Sequence, residues 1–242
     1  MGEDILQRWI VELLRPLLQW WLTGRGVKAF VGANQFIYWR QHDPHARVAP
    51  DIYVLPGTDP RTRVRSWKLW LDRVVPSFAF EVASQDWEKD YFEVPARYDE
   101  LGVRELVIFD PGFAEHTDGM QWQVFRRVGK RGLVRVEATR TDRVRSKVLA
   151  CWLRAVGAER DTRVRIAVGP RGAELVPTAE EREAAEHAAK EHERFAKEQE
   201  RAAKEQERAA KEQERAAKEA ALARVSELEA ELQRRIRRPR AH

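Results

Sequence analysis

One stretch constrains the fold more than any other. Ser77–Ser84 is apolar on both faces until Glu81, the pattern of a central strand covered on both sides. A helical segment follows from about Lys89 to Leu101 and closes at Gly102. Val103–Asp110 then reads as a second buried strand, stopping at Asp110-Pro111-Gly112. Strand, helix and strand in that order form a crossover, so the two strands are expected to be parallel. A chain organised around such a unit is α/β or α+β, with a mixed β-sheet flanked by helices.

The flanking segments fill in that plan. Residues 3–22 carry Ile5, Trp9, Leu13, Leu17 and Trp21 at helical spacing, which predicts an amphipathic helix. Val27–Val31 and Gln35–Arg40 read as strands on either side of a turn-like Gly32-Ala33-Asn34. Asp51–Leu55 is a short strand ended by Pro56-Gly57, and Trp67–Leu71 is another candidate. Antiparallel hairpins are expected over 119–137 and 147–176.

The character changes after Pro177. Thr178-Ala179-Glu180-Glu181 resembles a capping box, and AKEQERA then recurs every seven residues. Glu200–Lys204, Glu207–Lys211 and Glu214–Lys218 are i,i+4 pairs in the favourable orientation. The repeated apolar positions are adjacent alanines rather than a three–four seam. A better stripe comes only at Leu222, Val225, Leu228, Leu232 and Ile236. Two domains are therefore expected: residues 1–177 as a globular core, and 178–242 as a charged heptad-repeat helix whose last turns form a coiled coil between copies.

Charge and cysteine usage narrow the class. The tail holds 16 basic and 16 acidic residues, so the net +5 falls entirely on the core. Within the core, Arg126, Arg127, Lys130, Arg131, Arg135, Arg140, Arg143, Arg145 and Lys147 stand against only Glu137 and Asp142. This stretch is either a surface for a phosphate backbone or the solvated face of a hairpin. The basic end, Arg234 to Arg240, is read as solvated or as a contact for an acidic partner. A single cysteine, Cys151, excludes a disulfide framework and a Cys-rich zinc site, and fits a reducing cytoplasm. Ile5–Leu22 is interrupted by Arg8, Glu12, Arg15 and Pro16, so neither a signal peptide nor a membrane span is expected.

Two acids stand out against this background. Asp51 opens the run Asp-Ile-Tyr-Val-Leu, and Glu81 lies inside Phe-Ala-Phe-Glu-Val-Ala. A carboxylate in such a run is costly to bury unless something compensates it. Two of them on neighbouring strands make an oxygen-rich site for a hard divalent cation, and the backbone carbonyl of Val82 can add a ligand. Other candidates are weaker. His42 and His45 read as solvated loop residues beside Asp43 and Pro44. Asp110 reads as a strand-ending turn, and Trp67, Trp70 and Trp87 as core or cleft wall rather than base-stacking platforms.

The segments DPHARVAPDIYVLPG, KLWLDRVVPSFAFEVASQ and YDELGVRELVIFDP resemble the Uma-two restriction-endonuclease family, a branch of the PD-(D/E)xK nuclease superfamily. The resemblance covers roughly residues 20–155. It implies a restriction-endonuclease-like core, Mg²⁺ (or Mn²⁺) as cofactor, DNA as partner, and hydrolysis of phosphodiester bonds. It makes Asp51 and Glu81 the metal ligands. The sequence departs from the pattern at the lysine. The superfamily position two residues after the glutamate is Ala83, and the Uma-two position between Asp90 and Tyr98 is Val94. Lys89 is the nearest basic substitute. Two readings follow: a Mg²⁺-dependent endonuclease with Asp51, Glu81 and Lys89 as catalytic residues, or a catalytically inactive nuclease-fold module for DNA binding or assembly.

Overall fold

The computed structural model describes residues 5–84, 86–116, 118–158 and 161–237. The chain divides into two compact units, Met1–Ala179 and Glu180–His242.

The first unit opens with α1 (Ile5–Gly24), β1 (Ala29–Gly32), β2 (Phe36–Tyr38), β3 (Arg47–Val48), β4 (Ile52–Pro56), β5 (Ser66–Lys68) and the short α2 (Leu69–Asp72). The crossover follows as β6 (Phe78–Val82), α3 (Trp87–Phe92), α4 (Val94–Leu101) and β7 (Glu105–Phe109). Then come β8 (Trp122–Arg127), β9 (Leu133–Thr139), β10 (Arg143–Ser146), β11 (Cys151–Val156), β12 (Arg163–Val168) and β13 (Glu174–Leu175). The main sheet has six strands in the order β1-β4-β6-β7-β8-β9. As the crossover requires, β6 and β7 are parallel, whereas every other pair in that sheet is antiparallel. The expected class, a mixed sheet flanked by helices, is what forms.

Alternation along β6 sets the two layers. Phe78, Phe80 and Val82 pack with α1 and the four-stranded sheet β10-β11-β12-β13. Ala79 and Ala83 point the other way, into a cluster with Ile108, Tyr91 and Tyr98, under α3 and α4. Glu81 shares this second face because side chains alternate along a strand.

Several local expectations are revised. The segments around Gly32-Ala33-Asn34 do not pair with each other. All four β1 residues are buried and β1 joins β4 in the main sheet, whereas β2 exposes Phe36 and joins β3 and β5. Trp67–Leu71 is a strand only to Lys68. The Lys68 N–H donates to Asp72 Oδ2 at 2.8 Å, which curls the chain into α2. The helix expected from Lys89 to Leu101 is two helices. Pro95 lies in the first turn of α4, where its missing N–H costs nothing but where it cannot continue α3. Gly102 closes α4 with φ of 93°, accepting the left-handed turn a side chain would resist.

The basic stretch 126–147 is largely spent on the fold. Arg126 Nε pairs with buried Glu105 at 2.7 Å, and Arg127 with Asp99 at 2.9 Å. Arg135 donates to Gln123, Arg140 to the Gly119 carbonyl, and Arg143 to Asp142. Cys151 is buried in the α1 layer, and burial pushes its thiol up to about 12, far from a thiolate nucleophile or ligand. Among the described residues, no helix is long and apolar enough to cross a membrane.

The second unit is one helix, α5 (Ala179–Arg237). The predicted i,i+4 pairs form, with Lys211–Glu207 and Lys218–Glu214 both at 2.6 Å. Leu222, Val225, Leu228 and Leu232 are all exposed along it. The side chains of residues 235–237, Ile236 among them, and the whole of residues 238–242 lie outside what is described, and with them most of the basic end.

Candidate active site

Asp51 stands immediately before β4 and is 4% exposed. The Ile52–Phe80 register would set Val82 opposite Pro50. The Val82 N–H is met instead by Asp51 Oδ2, at 2.7 Å. The other oxygen, Oδ1, accepts from Gln7 Nε2 on α1 at 2.6 Å. The Asp51 carboxylate thus replaces the next ladder acceptor at the sheet's end. It is the Val82 N–H, not the carbonyl, that contacts Asp51.

Glu81 meets Asp51 from the neighbouring strand. Its Oε2 accepts the Asp51 N–H at 3.4 Å, and its Oε1 accepts the hydroxyl of fully buried Tyr98 on α4. Burial first, and the adjacent Asp51 charge second, hold the Glu81 carboxyl well above the usual carboxylate range. The hydrogen bonds from Tyr98 and from the Asp51 backbone oppose this, and the more distant Asp90 adds to it. Burial and Glu81 in turn raise the Tyr98 hydroxyl. Asp90 itself fastens the end of β6 to α3, accepting from the Ser84 N–H at 2.7 Å and the Ser84 hydroxyl at 2.8 Å.

A carboxyl at Glu81 raised by burial and by the Asp51 charge beside it makes an oxygen-lined pair that suits a divalent ion. Their donors are all oxygen, the preference of Mg²⁺ and Mn²⁺. A carboxylate oxygen that accepts one hydrogen bond keeps a second lone pair for a metal. Among the described residues no third His, Cys, Asp or Glu completes a cluster. A cation held by two carboxylates keeps coordination positions for water and for a phosphate oxygen.

The structure brings Asp51, Glu81 and Val82 together and does not bring Lys89 to them. Lys89 is exposed on α3, and its side chain has no hydrogen bond or ion pair among the described residues. Ala83 and Val94, at the two family lysine positions, are half-buried against the α3/α4 layer. His42 and His45 are exposed, and Trp67 is buried with its Nε1 on the Val74 carbonyl. Two supports of the site, Gln7 and Tyr98, carry no site signal in the sequence; Tyr98 is there only a spacing mark.

Comparison with known proteins completes the picture. The family model described as "Uma2: Putative restriction endonuclease" matches residues 1–157. Among solved structures, the chain resembles a putative nuclease belonging to DUF820 from Anabaena variabilis ATCC 29413. That match has 12% identity and a TM-score of 0.41, covering 62% of this chain and 76% of the other. No curated protein matches.

Proposed function

Because the chain belongs to the Uma2 family of putative restriction endonucleases, we propose that it is a metal-dependent endonuclease hydrolysing DNA phosphodiester bonds. The observation that carries this reading is the meeting of two carboxylates, buried Asp51 and half-buried Glu81, at the ends of neighbouring strands. Asp51 and Glu81 would hold Mg²⁺ or Mn²⁺, with the Val82 carbonyl as a third oxygen donor. Such an ion, when bound, polarises the scissile phosphate and lowers the pKa of a bound water. The protein's own groups fix the ligands. Gln7 and the Val82 N–H orient Asp51, and the Tyr98 hydroxyl orients Glu81. The lone, buried cysteine is compatible with a cytoplasmic setting.

Supercoiled plasmid incubated with the protein and Mg²⁺ or Mn²⁺ is expected to be nicked and linearised, and a Glu81→Ala protein is expected to leave it intact. Absence of cleavage, or equal cleavage by the variant, rules the reading out. The apolar, packed Ala83 and Val94 favour a second reading, a nuclease fold that binds DNA without cutting it. It would give plasmid binding that weakens steeply with salt, and no cleavage.

The exposed stripe Leu222, Val225, Leu228 and Leu232 supports self-association through α5. Light scattering is expected to give an oligomer for the full chain and a monomer for a chain ending at Pro177. An unchanged state would remove α5 from assembly.

A further inference from the structure

Outside the two acids, the strongest cluster of chemically active side chains is formed by Asp110, His116, Tyr91 and Trp87. Asp110 follows β7 and is 1% exposed. Its Oδ1 accepts the Gly112 N–H at 2.8 Å, the turn expected from Asp-Pro-Gly. Its Oδ2 accepts the Tyr91 hydroxyl at 2.7 Å and lies 2.8 Å from His116 Nδ1. The indole of Trp87 stacks on the imidazole, with centroids 4.8 Å apart and planes 13° apart. The ring is therefore held on one edge by a carboxylate and on one face by an aromatic plane. The His116 side chain is still 17% exposed.

The polarity of this arrangement is fixed. A carboxylate accepts, so Nδ1 is the protonated nitrogen of the neutral ring, and Nε2 carries a lone pair. Nε2 has no partner among the described residues. An oriented imidazole with an available Nε2 is a proton acceptor.

Its position is equally specific. The pairing Glu81–Ile108 is continued by the Ala83 N–H, which donates to the Phe109 carbonyl at 2.8 Å. Ala83 and Asp110 are therefore neighbours on adjacent parallel strands, on the same face as Glu81. Two residues along and one strand across puts the Asp110 and Glu81 Cα atoms about 8 Å apart. Asp110, the carboxylate that holds the ring, thus stands beside Ala83 at the same end of the sheet as Glu81.

We propose that His116, oriented by Asp110, is the general base of the hydrolytic reaction. This rests on the nuclease reading above. In the step, the oxygen of a water bonds to phosphorus while the bond from phosphorus to the leaving sugar oxygen breaks. His116 Nε2 takes the proton from that water. The leaving oxygen is protonated by solvent, and the imidazolium returns its proton to solvent. Asp110 is a positioning residue, setting the tautomer without touching the reacting atoms.

The test compares the full-length protein with Glu81→Ala, His116→Gln and Asp110→Asn variants in plasmid cleavage with Mn²⁺. Alongside it run calorimetric Mn²⁺ binding and ¹⁵N NMR of the imidazole. His116→Gln is expected to lower turnover by roughly 100-fold or more, with Mn²⁺ and DNA binding unchanged. Asp110→Asn offers an amide donor to Nδ1, so it is expected to lower turnover similarly and to move the His116 proton to Nε2. The inference alone is overturned if Glu81→Ala is inactive while His116→Gln turns over like the unsubstituted protein. It is also overturned if His116 is already protonated at Nε2 in that protein, or if His116→Gln loses Mn²⁺ binding. A full-length protein that never cleaves overturns the nuclease reading and this one with it.

Discussion

A Glu81→Gln protein is expected to lose the thermal stabilisation that Mn²⁺ gives the unsubstituted chain, at every pH between about 5 and about 8. Without metal, the carboxyl of Glu81 is held above the ordinary range by burial and by Asp51. A raised acid binds its proton more tightly in the folded state than in the unfolded one. Its contribution to stability is complete below the usual carboxylate value. It is lost as the pH climbs from there through the raised folded value, on the order of 1 kcal/mol per pH unit in that window. Glutamine does not titrate, so the metal-free variant should not show this decline and should out-melt the unsubstituted protein at the alkaline end. Mn²⁺ acts in the opposite sense because it binds ionised carboxylates. Its stabilisation of the unsubstituted protein should therefore grow with pH. Melting temperatures in EDTA and in Mn²⁺ across the range test both halves. An Mn²⁺ shift that survives the substitution would show that the ion binds elsewhere.

The second large effect is structural. Glu105 is fully buried, and it receives Arg126 Nε at 2.7 Å, the Ser146 hydroxyl, and the Lys147 N–H at 3.1 Å. It joins β7 and β8 of the main sheet to the end of β10 in the four-stranded sheet. Glu105→Ala leaves the Arg126 guanidinium, only 18% exposed, without its counter-charge, and leaves two donors without an acceptor. Removing one member of a buried ion pair costs about 3–5 kcal/mol. For a unit of this size that is a fall in melting temperature of roughly 10 °C. Glu105 begins β7, whereas the candidate site lies past its other end. The Mn²⁺ response should therefore persist in the weakened protein. Differential scanning calorimetry with and without Mn²⁺ checks both, and a drop of less than about 1 kcal/mol would mean that solvent replaces Glu105 as the partner.

How far the chain could be read from its residues followed a physical divide. The β6–helix–β7 crossover was legible because strands buried on both faces leave continuous apolar runs, and few topologies accept two of them. Asp51 and Glu81 were legible because an acid in such a run is conspicuous. Their supports were not. Gln7 is 44 residues from Asp51, and nothing local to an amphipathic helix says that one polar position will reach a strand end. The separation of β1 from β2 was equally hidden, since a turn-like Gly-Ala-Asn looks the same whether the strands pair or part. The break between α3 and α4 was marked by Pro95 but masked by the helical periodicity on either side. His116 lies in an irregular segment after Asp-Pro-Gly, where spacing carries no information. Only the fold makes it Asp110's partner.

The two acids are unequal in one respect that follows from how the sheet ends. Asp51 accepts the Val82 N–H, a donor that would otherwise finish the ladder unsatisfied. Glu81 accepts from Tyr98 and burdens the fold with a sequestered carboxyl. Were selection for activity relaxed, drift at position 81 to a neutral acceptor such as glutamine would cost little and would even relieve the protein. Drift at position 51 would still be opposed by the need to fold. Among descendants of such a chain, a retained Asp51 is therefore a poor witness to function, and a retained Glu81 a good one.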